Sequence, residues 1–87
     1  MSYNYKTIKV FPIKGDYFIE LGTYYGNLLI YIVTPENNID DVLKPDDFLR
    51  YVRLFHSPRW DKIRENKEVI EEIKLIIALY QMEKLKL

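Results

Sequence analysis

Residues 17–34, YFIELGTYYGNLLIYIVT, decide the fold. Aromatic and β-branched residues fill both halves, and the short break Gly26-Asn27 divides them. Such side chains fit a pleated surface, and glycine supplies the torsions a two-residue turn requires, so the stretch reads as an antiparallel hairpin. Upstream, residues 3–13 have the same character and end near Gly15-Asp16. The spacing predicts strands over 3–13, 17–25 and 28–34.

Register follows from the turns. Two-residue turns set Val10 opposite Leu21 and Ile8 opposite Thr23, then Leu21 opposite Ile32 and Thr23 opposite Ile30. One face then collects Ile8, Val10, Ile19, Leu21, Ile30 and Ile32. A three-residue first turn would set Lys9 against Leu21 and Phe11 against Ile19, mixing the faces. Because a one-residue slip turns a strand's apolar set over, the two-residue turn is the expectation. The opposite face is then expected to carry Thr7, Lys9, Phe11, Ile13, Phe18, Glu20, Tyr24, Leu29, Tyr31 and Val33, with the Tyr31 ring covering Gly22. A solvated sheet face reads mostly polar, and this one does not. Phe11, Phe18, Tyr24, Leu29, Tyr31 and Val33 are therefore candidate partner-interface residues.

Composition changes after Thr34. Residues 35–45 read as an acidic loop, and Glu36, Asp40, Asp41, Asp46 and Asp47 against Lys44 give residues 36–47 a net charge of −4. A first helix is expected over 46–56, with proline and acids at its positive dipole end. Phe48, Tyr51, Val52 and Phe55 follow its apolar stripe. Residues 48–64 carry a net +4, from Arg50, Arg53, Arg59, Lys62 and Arg64 against Asp61. Ser57-Pro58 reads as the N-cap and first residue of a second helix, expected to run over 58–87 because no Gly or Pro follows. Its main stripe is Ile63, Ile70, Ile73, Ile76, Ile77 and Tyr80. Leu75, Leu79 and Met82 lie on another side, so they too are candidate interface residues, since two apolar sides ask for two neighbours. The fold class expected is α+β: a three-stranded antiparallel meander and two helices, β-β-β-α-α, as a single small domain over 1–87 with the helices on one sheet face.

The 87 residues include 13 Lys+Arg and 13 Asp+Glu, no Cys and one His. So short a chain buries only about 60% of its unfolded surface. Disulfides and Cys/His metal cages are excluded by composition, which leaves self-association as the available support. No cofactor or metal is expected. The first 14 residues show no uninterrupted apolar core of the signal-peptide kind, and the longest apolar run, residues 28–33, is far short of the roughly 18 a membrane span needs. A soluble, intracellular (cytoplasmic) domain is expected.

Catalytic constellations are scarce. His56 is the sole imidazole, and its neighbour Ser57 is accounted for as an N-cap. His56 itself suits the negative end of the first helix. The acidic loop lacks the spacing and central glycine of a calcium loop. Pro45-Asp46 with Glu65-Asn66-Lys67 has the nominal order of the metal-dependent nuclease signature. In that family the Glu-x-Lys lies on a strand, whereas the periodicity here puts it in a helix, so no family is assigned. Arg50, Arg53, Arg59, Lys62 and Arg64, with Trp60 to stack on a base, form a candidate nucleic-acid surface. The zero net charge and the neighbouring acidic block weigh against it. The expected function is a non-enzymatic protein-protein interaction module, homodimeric or bound to another protein. Its size and biased composition suit a regulator or inhibitor of the kind that viruses and mobile elements encode. Nucleic-acid binding is the alternative.

Overall fold

A computed structural model describes residues 4–13 and 17–85. The class is α+β. Its elements are β1 (Tyr5–Ile13), β2 (Tyr17–Tyr24), β3 (Asn27–Val33), β4 (Ile39–Leu43), α1 (Pro45–Leu54), α2 (Pro58–Glu65) and α3 (Lys67–Leu85). Two compact units divide the chain, Met1–Phe48 and Leu49–Leu87, and each is described by itself.

In the first unit the strands form one antiparallel sheet in the order β1-β2-β3-β4. The β2–β3 hairpin turns at Tyr25-Gly26, one residue before the expected Gly26-Asn27. Tyr25 (φ 51°) and Gly26 (φ 77°) both take positive φ, the type I′ geometry that matches strand twist. Leu21 therefore faces Ile30, and Thr23 faces Leu28. The shift is two residues, so every side chain keeps its expected face.

The first hairpin departs further. Phe11 pairs with Ile19 and Lys9 with Leu21, the register that the alternation argument rejected. Phe11 and Ile13 are buried among the inner-face residues, at 5% and 0% exposure, while Ile8 and Val10 are 44% and 45% exposed. Alternation fixes a register only along an unbroken ladder, and β1 is broken. Ile8 is an extra, unpaired residue between Thr7, which faces Gly22, and Lys9. This bulge reverses the phase of the strand, so one half turns Phe11 and Ile13 inward while the other turns Tyr5 and Thr7 outward. The expected Gly15-Asp16 turn lies outside the described residues.

Residues 39–43, expected as loop, form the edge strand β4. Leu43 faces Ile30, Val42 faces Tyr31 and Asp41 faces Ile32, with Asp40 bulged out. A tight turn delivers the strand: Asn37 (φ 69°) donates its N–H to the Thr34 carbonyl at 2.8 Å, and Thr34 donates to Asn38 at 2.9 Å. Acidic residues disguised β4, yet charge on an exposed edge is how sheets discourage unwanted pairing. Ile13, Ile19, Leu21, Ile30 and Ile32 are fully buried.

In the helical stretch, α1 ends at Leu54 rather than His56. Ser57 caps α2 as expected, accepting from the Trp60 N–H at 3.2 Å, with Pro58 following. The single long helix over 58–87 is instead two. Asn66 (φ −88°, ψ 70°) leaves helical geometry, donating its N–H to the Ile63 carbonyl and its side-chain amide to the Lys62 carbonyl at 2.9 Å. A short amide side chain that competes for backbone partners breaks a helix without Gly or Pro.

Candidate functional site

On the outer face of the sheet, Tyr5 stands opposite Tyr24 and Glu20 opposite Tyr31. The Tyr5 hydroxyl and the Thr7 hydroxyl both donate to Glu20 Oε2, the second at 2.9 Å. Tyr5, not Tyr31, covers Gly22: a β-carbon there would lie 2.5 Å from the Tyr5 hydroxyl oxygen. The Tyr5 and Tyr31 rings meet edge to face, centroids 5.6 Å apart at 77°. Tyr24 is braced in the same manner by Tyr25, at 4.6 Å and 87°. Tyr5, Glu20, Tyr24, Tyr31 and Ile39 line a cavity of about 290 Å³.

Burial, reinforced by the Glu20 carboxylate, pushes the Tyr5 hydroxyl up to about 12. Tyr31 is raised too, by burial first and the Glu20 charge second. Both phenols are neutral at physiological pH, serving as hydrogen-bond donors and aromatic faces.

Of the expected sheet-face residues, Tyr24 is 49% exposed, Phe18, Leu29 and Tyr31 are half-buried, and Val33 is buried at 6%. Phe11 belongs to the opposite face and leaves the set. Tyr5, Val10, Ile39 and Val42 join it. The unread bulge and the unread strand hid them. Both sheet edges carry deterrents to strand addition: Lys6, Lys9, Pro12 and the Ile8 bulge on β1, and Asp40, Asp41 and a second bulge on β4.

On α3, Ile70, Ile73 and Ile77 are buried. Leu75, Leu79 and Met82 lie on the opposite side at i, i+4 and i+7, 58%, 53% and 56% exposed.

The basic cluster is partly consumed by the α1–α2 junction. Trp60 is buried, edge-on to Tyr51 at 5.5 Å, and offers no face for a base. Arg64 donates to the Val52 carbonyl, to the Phe55 carbonyl at 2.9 Å and to Asp61 at 2.6 Å. It takes the helix-terminating role expected of His56, whose Nδ1 instead lies 3.5 Å from Asp61 Oδ1. Arg64 holds the Asp61 carboxyl below its ordinary range, with a smaller contribution from His56. Arg50 and Arg53 are exposed, and Arg59 and Lys62 are half-buried.

No family model, curated protein or solved structure matches the chain. Among the described residues no group of three His, Cys, Asp or Glu is placed to hold a metal ion. Glu65 closes α2 and Lys67 opens α3, so the nuclease-like string has no strand beneath it. No described helix is long and apolar enough to cross a membrane.

Proposed function

We propose that this chain is a non-enzymatic protein-interaction module that forms a homodimer through the second apolar side of α3 and regulates or inhibits by contact. The observation that carries this is the stripe Leu75, Leu79, Met82, each more than half exposed on a helix whose other side is buried. Three large apolar side chains in one row exceed the scattered exposure that a monomer's surface carries without consequence. A twofold axis sets such a row against its own copy. The outer sheet face is less suited to a dry self-contact, because a hydrogen-bonded carboxylate occupies its middle. Light scattering tests the reading: the wild type should have dimer mass, Leu79→Glu should be monomeric, and Tyr31→Glu should remain dimeric. A monomer at high micromolar concentration would overturn it.

The nucleic-acid reading retains Arg50, Arg53, Arg59 and Lys62 but loses Trp60 and Arg64 to the junction. A mobility shift that weakens steeply with salt and vanishes on Arg53→Ala with Arg59→Ala would favour it instead.

A further inference from the structure

The outer-face cavity has properties that self-association through α3 does not use. Three phenol rings and one carboxylate surround it, with Ile39 at the rim. Ring faces are electronegative and attract cations. Tyr5 and Tyr31, at 77°, form two adjoining walls. Glu20 adds a full negative charge, and both hydrogen bonds it accepts reach Oε2, so Oε1 takes neither. Neutral phenols keep their electronegative faces while adding no charge beside Glu20.

The walls are held in place before any ligand arrives. Glu20 and the gap at Gly22 fix Tyr5, and Tyr25 braces Tyr24. Such preorganisation removes part of the entropic cost of binding. A volume of about 290 Å³ falls at the small end of ligand pockets, which span about 300–1,000 Å³, and suits a compact cationic head.

We propose that this cavity binds the alkylammonium group of a lysine side chain on a partner protein, more tightly when that lysine is methylated. Methyl groups spread the charge and weaken its hydration, so aromatic walls compete better with water. That the ammonium comes from a protein rests on reading the chain as a protein-interaction module; the cavity's preference for the cation does not.

The test is titration of the full chain with tetramethylammonium and with neopentyl alcohol, an uncharged molecule of similar shape, following the tyrosine ring signals by NMR. The cation should give saturable shifts and the alcohol bind about tenfold more weakly or worse. Glu20→Gln and the more exposed Tyr24→Ala should each weaken the cation about tenfold, with the circular dichroism spectrum unchanged. Equal affinity for the alcohol, or unaltered binding in Tyr24→Ala, would overturn the site. In a second arm a trimethyllysine peptide should bind more tightly than choline. Choline binding as tightly would overturn the protein source alone, and light scattering reports separately on self-association.

Discussion

Tyr5 on β1 lies over Gly22 on β2, so closely that a β-carbon on the glycine would sit 2.5 Å from the hydroxyl oxygen and 2.7 Å from the ring carbon Cζ. The obstacle is a side chain, so Gly22→Ala should displace the ring and spare the backbone. Losing the bond to Glu20 costs about 1–2 kcal/mol, and replacing a strand glycine returns about 0.5–1 kcal/mol. Chemical denaturation should show a net loss of about 1 kcal/mol or less, with Tyr5 ring signals shifted in NMR spectra. A loss several times larger would mean that the sheet itself depends on this contact.

Alkaline titration follows from the same contact. The Tyr5 hydroxyl is raised from 10.0 to about 12, chiefly by burial and then by Glu20. Its folded value exceeds the unfolded one, so its contribution is fully present below pH 10 and is lost as pH rises toward 12. Phenolate absorbance should show a tyrosine ionising well above the ordinary phenol range. Tyr5→Phe should abolish that late step and remove about 1–2 kcal/mol of stability.

Ile8 offers a sharper test of register. It is the unpaired residue of the β1 bulge, and its deletion leaves Thr7 opposite Gly22 and Lys9 opposite Leu21 in a regular ladder. The shortened chain should fold and keep Tyr5 and Thr7 on the Glu20 side, with cross-strand proton contacts between residues 7 and 22 preserved. Deleting Val10 as well leaves Lys9 alone opposite Glu20 and Leu21, so Tyr5 and Phe11 can no longer both keep their faces, and stability should fall by several kcal/mol, as exchange of core residues does.

Arg64 is a structural residue in the basic segment. Its guanidinium reaches the Val52 carbonyl in α1, the Phe55 carbonyl just beyond it and Asp61 at once, a fork that an ammonium cannot reproduce. Arg64→Lys should lower stability by about 1–2 kcal/mol in urea denaturation, and the exposed Arg53→Ala should stay within about 0.5 kcal/mol. Asp61, held below its ordinary range by Arg64, contributes above the usual aspartate range and loses that contribution as pH falls beneath it. In Arg64→Lys this acid-side loss should shrink.

The strands at 17–24 and 27–33 were legible because alternation and a glycine turn agree, and a two-residue error at Tyr25-Gly26 left the faces intact. Ser57 was legible because a cap followed by proline is a local signal. β1 was not, because a bulge breaks the period that a register argument relies on. β4 was hidden by Asp40 and Asp41, which read as loop while protecting an edge. The Tyr5–Glu20 pairing depends on that bulge and was out of reach, whereas the exposed row Leu75, Leu79 and Met82 follows from helical periodicity alone.

Absence of cysteine makes the proposed dimer directly testable. Leu79 lies midway along the exposed stripe, where an antiparallel twofold pairing of α3 brings it closest to its own copy. On mild oxidation Leu79→Cys should form a covalent dimer in high yield, and Val10→Cys, on the exposed sheet face, should not. A covalent dimer from Val10→Cys with none from Leu79→Cys would contradict the account.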